Sequence, residues 1–82
     1  MHEWGIAQDL VDEVKRQATK NGITEVTKVG VSLGKLSHLT PLSLKTCFKA
    51  LTKEDEMLKR ARLQFKKTLD HAVIIDIIQG KT

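Results

Sequence analysis

The 82-residue chain has one cysteine, one proline, one tryptophan, two phenylalanines and no tyrosine. A single thiol excludes an intramolecular disulfide and any zinc knuckle built on a C-x-x-C pair. So few aromatics supply no stacking platform for single-stranded nucleic acid, so no nucleic-acid partner is expected. No stretch approaches the roughly 18 to 20 apolar residues of a membrane span. The start has neither the basic opening nor the apolar run of a signal peptide. The expectation is therefore a cytoplasmic protein with no membrane partner. Also missing are a phosphate-cradling glycine loop, a nucleophile with a neighbouring base and a convincing carboxylate pair, so no enzymatic chemistry is expected.

What is present fits one small domain over residues 1–82, of a size where one core is barely sufficient and partners, metals or oligomerisation often contribute. The net charge of +4 is unevenly spread. Residues 1–33 carry five acids (Glu3, Asp9, Asp12, Glu13, Glu25) against four bases, and residues 34–82 carry ten bases against five acids. The second half is thus the face for an acidic partner.

Hydrophobic spacing predicts the elements. Over 4–20, Ala7, Leu10, Val11, Val14 and Ala18 recur at offsets of three and four, a one-sided helix ended by Asn21-Gly22. "EVTKVGVSL" alternates with Val29, Val31 and Leu33 on one face, predicting a strand over 26–33 weakened slightly by Gly30. After the loop "GKLSHLT", Thr40-Pro41 opens a helix over 41–52 with Leu44, Cys47, Phe48 and Leu51 inward and Lys45, Lys49 and Lys53 outward. "RARLQFK" predicts a strand over 60–66 with Ala61, Leu63 and Phe65 inward, and "HAVIIDIIQ" is apolar on both faces. The expected fold is α+β, order α-β-α-β-β: a three-stranded mixed sheet with two helices packed on one face. Strands 26–33 and 60–66 would run parallel across a helical crossover. The last two strands are expected to form a tight antiparallel hairpin, with "AVIIDII" central and its second face open to cover by another chain, hence a possible homo-oligomer.

The opening "MHEW" places four nitrogen donors together: the Met1 amine, the backbone nitrogens of His2 and Glu3 once deprotonated, and the His2 imidazole. Square-planar nickel or copper favours such a set. The first amides of a helix lack intrahelical partners, so metallating them sacrifices no hydrogen bond. Taken alone, the same residues also read as a frayed end with Glu3 set favourably against a helix dipole and Trp4 as an apolar anchor. Elsewhere, His71 at the start of the last strand is a candidate extra ligand and otherwise a surface histidine, and His38 reads as a loop residue. Cys47 falls on the apolar stripe and reads as a buried small hydrophobe. The basic set Lys45, Lys49, Lys53, Arg60, Arg62 and Lys66, with Lys45, Lys49, Arg60 and Arg62 as the partner-binding candidates, is either a contact surface for an acidic protein or a solvated face.

"MHEW-x-IA", "VGVSLGKLSHLTPLSLKTCF" and "ARLQF", in this order and register, resemble the HypA family of hydrogenase nickel-incorporation proteins. The resemblance implies a nickel metallochaperone that binds Ni(II) transiently through Met1, His2 and Glu3. It also implies partners: a maturation GTPase and the precursor of [NiFe]-hydrogenase or urease. Family members carry a zinc-ribbon module with two C-x-x-C pairs between the two C-terminal strands. Here a short turn near 67–71, "KTLDH", occupies that interval, so no zinc is expected. Loss of the module leaves an alternative: an adaptor or assembly protein that keeps the fold and acts by protein contact alone.

Overall fold

The computed structural model describes residues 2–82, except for the side chain of His2. Along the chain come α1 (His2–Lys20), β1 (Glu25–Gly34), a single 3-10 turn (Lys35–Ser37), α2 (Pro41–Thr52), β2 (Arg62–Thr68) and β3 (Val73–Lys81). This is the α-β-α-β-β mixed three-stranded sheet with two helices packed on one face.

Local chemistry sets the helix limits. Gly22 sits at φ 73°, the Ile23 amide donates to the Ala18 carbonyl at 2.9 Å, and the Gly22 amide donates to that of Thr19 at 3.1 Å. This pair of bonds is a Schellman closure, and the positive φ is the reason the position suits glycine. At the start of α2 the Ser43 amide donates to Thr40 Oγ1 at 3.0 Å, with Pro41 supplying a first-turn residue that has no amide to satisfy. On the outer side of α1, the Arg16 guanidinium and the Gln17 amide donate to Glu13 and hold its carboxyl at about 2.

The core lies between the helices and the sheet. Val14, Leu44, Val26, Val29 and Leu58 are among its fully buried side chains, each worth roughly 1.5–3 kcal/mol of transfer free energy. Leu58 is a core residue that lies outside every predicted element. It is fixed by a turn in which Asp55 Oδ1 accepts from the Met57 and Leu58 amides at 2.9 and 3.1 Å. Lys15 Nζ of α1 reaches the same carboxylate at 2.5 Å. Burial alone would push the Asp55 carboxyl up, but the Lys15 ammonium and the two amides outweigh it and hold the group below its ordinary value.

The strand order corrects the sequence expectation. The order is β2-β1-β3, so β1 is central, parallel to β2 and antiparallel to β3. The last strand is an edge, and it forms no hairpin with β2. Skipping over one strand means spanning about 10 Å, and residues 69–72 can reach about 13 Å when extended. The connection arches over the end of β1: the Gly34 amide donates to the Ala72 carbonyl at 2.8 Å and the Leu36 amide to that of Asp70 at 3.0 Å. Asp70 braces the arch by accepting from Thr68 Oγ1 at 2.9 Å and from the Ala72 amide at 3.1 Å. The Thr68 hydroxyl and Ala72 amide hold the Asp70 carboxyl below its ordinary value.

At this edge only one of the last strand's two apolar faces is covered. Val73, Ile75 and Ile78 pack against the core, while Ile74 and Ile77 remain 50% and 48% exposed. Irregularities between Val26 and Lys28 and between Gly30 and Val31 shift the pairing with β3. They bring Val26 and Val29, three apart, into the same core. Ser32, expected on the solvent side, is buried and donates to Asp76 Oδ2 at 2.5 Å.

Candidate metal centre

Of the three residues expected to hold nickel, Met1 and the His2 side chain lie outside the described residues. The backbone of His2 begins α1, so the amides of His2 and Glu3 belong to the first turn, whose donors have no intrahelical acceptor. Glu3 is half-buried and Trp4 is 45% exposed. Both line a shallow groove between the first turn of α1 and the first half of α2, with Thr40, Leu42, Ser43, Thr46 and Cys47 on the other side.

That groove exists because α1 and α2 share one apolar seam. Ala7, Leu10 and Val14 of α1 and Leu44, Cys47 and Phe48 of α2 belong to a single buried cluster. Cys47 is buried there as a small hydrophobe, as its place on the apolar stripe predicts. Ser43, the third residue of α2, was not a sequence candidate. Its Oγ is buried in this groove with no hydrogen-bond partner among the described residues. A polar residue one helical turn before Cys47 was the signal available for it.

The remaining candidates lie elsewhere. His71 sits in the β2–β3 arch, with Nδ1 3.3 Å from the Leu36 carbonyl oxygen, and does not line the groove beside Glu3. His38 closes the 3-10 turn at φ 64°. Among the described residues, no three histidine, cysteine, aspartate or glutamate side chains form a group able to hold a metal ion.

Lys45 and Lys49 of α2 and Arg60 and Arg62 beside and within β2 do come together. They line one groove with Lys59, over a floor that includes Phe48 and Leu63. Lys53 and Lys66 are not part of it. Lys59 was not predicted, although it adjoins the "RAR" run in sequence.

The family model described as "Hydrogenase/urease nickel incorporation, metallochaperone, hypA" matches residues 1–73. The HypA hydrogenase maturation factor of Methanosarcina mazei is 45% identical over 51 residues, covering 62% of this chain and 37% of that protein. The HypA hydrogenase maturation factor of Caldanaerobacter subterraneus is 39% identical over 66 residues, covering 80% of this chain and 57% of that protein. Among solved structures, the nickel metallochaperone HypA from Helicobacter pylori superposes with a TM-score of 0.73 at 18% identity, over 96% of this chain and 88% of that one. A second HypA solution structure gives 0.69 at 20% identity, over 100% and 71%.

The fold is thus the α+β fold of these two HypA structures. The chain belongs to the HypA family of hydrogenase and urease nickel-incorporation proteins. The matches to these two curated relatives span 37% and 57% of their lengths. No helix among the described residues is long and apolar enough to cross a membrane.

Proposed function

We propose that this chain is a nickel-handling maturation factor that carries Ni(II) at its amino terminus and passes it to the precursor of a nickel enzyme such as [NiFe]-hydrogenase or urease, together with a maturation GTPase. The observation that carries this reading is the family match, which begins at Met1 and takes in the Met-His-Glu opening of the sequence. The ion is cargo, and the chain performs no bond-making chemistry of its own.

In this reading the Met1 amine and the His2 imidazole are neutral donors, and the backbone nitrogens of His2 and Glu3 bind after losing their protons. Two deprotonated amides neutralise a divalent cation, so the positive end of the α1 dipole does not repel the bound ion. The same two amides make no intrahelical bond, so the helix does not unwind to release them. Residues 1–82 act as one nickel-binding domain, closed by the 69–72 arch where the resemblance predicts a zinc ribbon.

Nickel titration followed by Trp4 fluorescence tests the site, because Trp4 is the only tryptophan and adjoins the donor set. A native amino terminus binds one Ni(II), and both His2→Ala and a one-residue amino-terminal extension abolish the response. Unchanged affinity in either variant rejects the assignment.

A further inference from the structure

A second surface lies away from the amino terminus, and its shape and charge single out one kind of partner. Among the described residues, strand β2 pairs with β1 alone, so its other edge presents unpaired backbone donors and acceptors. The groove beside α2 is lined by Lys59, Arg60 and Ala61 on the approach to β2 and by Arg62, Leu63 and Gln64, the first three residues of the strand. It opens at the entry to the strand's free edge, where Arg62 and Gln64 are exposed and Leu63 is buried. Its walls carry Lys45, Lys49, Lys59, Arg60 and Arg62, and among the described residues no carboxylate lines it.

Two of these cations are already paired. Arg60 Nη1 meets Glu25 Oε2 at 2.9 Å and Lys59 Nζ meets Glu56 Oε2 at 3.1 Å. Among the described residues, Lys45, Lys49 and Arg62 form no ion pair with a carboxylate. An edge strand bordered by lysines is also a device against unwanted strand pairing. That device repels a basic or neutral strand and admits an acidic one.

We propose that this edge is a docking site for an extended acidic segment of a partner protein, which adds to β2 as a fourth strand while its carboxylates meet Lys45, Lys49 and Arg62. Strand addition draws affinity from main-chain bonds and specificity from alternate side chains. The charge here supplies the complementary sign and the steering. Nucleic acid fits less well: the one aromatic in the lining, Phe48, is 3% exposed and has no face on which a base could stack. The proposal is independent of the proposed nickel site, since no described residue of α1 lines the basic groove.

The test uses the full chain and a short fluorescein-labelled peptide alternating glutamate and valine, titrated by anisotropy at low salt. A lysine–valine peptide, a single-stranded oligonucleotide and inorganic phosphate serve as competitors. The acidic peptide binds, Lys49→Glu and Arg62→Glu each weaken it by about tenfold or more, and the amide resonances of Arg62–Thr68 move on binding. The same peptide N-methylated at every second residue, which removes its strand-pairing donors, does not bind. Circular dichroism of the two exposed-site variants matches the parent. Affinity unchanged by either charge reversal, equal binding of the N-methylated peptide, or displacement by the oligonucleotide or phosphate at lower concentration than by unlabelled peptide overturns the proposal.

Discussion

Gly34 and Asp70 meet where the chain crosses over the end of its own central strand. A β-carbon at Gly34 would fall 2.6 Å from the Asp70 carbonyl carbon and closer still to its oxygen. Gly34 has no side chain because another backbone occupies that space. The same crossing lets a four-residue connection join β2 to β3 across β1.

Gly34→Ala therefore overpacks a backbone that is tied down at both ends, and the expected loss of stability is about 2–3 kcal/mol. Gly5→Ala is the matched control, since nothing lies within 4 Å of its added methyl and it sits inside α1. That substitution gains about 0.5–1 kcal/mol. Urea denaturation of the two variants beside the parent separates these outcomes, and equal effects would contradict the crossing geometry.

The Lys15–Asp55 pair makes a pH prediction. The folded-state pKa of Asp55 is lowered, so its contribution is fully present above the ordinary carboxylate value and is lost as pH falls through the lower folded value. Asp55→Asn removes the ion pair but keeps an oxygen for the Met57 and Leu58 amides. It is expected to flatten the acid limb of a plot of stability against pH, whereas Asp55→Ala also costs about 1–2 kcal/mol at neutral pH. Denaturant midpoints between neutral pH and acid check both variants, and an acid limb unchanged in Asp55→Asn refutes the assignment.

Leu58 is fully buried although it lies in an irregular turn. Truncation to alanine is expected to cost about 2–5 kcal/mol, a large share of the total for a domain this small. Leu69, 80% exposed in the arch, tolerates the same change with an effect within about 0.5 kcal/mol. Thermal melts of the two alanine variants measure the contrast.

Nickel affinity is expected to rise with pH, because binding displaces protons from the Met1 amine and from two backbone amides. A titration series across neutral pH, read by Trp4 fluorescence and by proton release into a weak buffer, checks the sign. Affinity independent of pH would leave no role for backbone nitrogen as a ligand.

Much of this molecule was legible from its residues because the signals are local. The Asn21-Gly22 closure of α1, the Thr40-Pro41 start of α2, and the burial of Cys47 and Leu63 follow from backbone preference and apolar period. The proposed amino-terminal donor set is also a local signal, because Met1, His2 and Glu3 adjoin one another in the chain. Leu58 was missed because a residue in a charged turn has no periodic neighbours to announce it. Ser43 was missed because its surroundings come from α1, far away in sequence.

The sequence by itself determined the element order, the helix caps, the parallel pairing across α2 and the family, since each depends on spacing within a short stretch or on motifs in register. Tertiary structure alone decided which strand is central. Hydropathy marked "AVIIDII" as the most buried strand, but the connection over Gly34 put β1 between β2 and β3 and left Ile74 and Ile77 half exposed. It also decided that Lys45 and Lys49 share a groove with Arg60 and Arg62. Strand order and the meeting of distant charges depend on how the chain closes on itself, which periodicity along a single strand or helix does not encode.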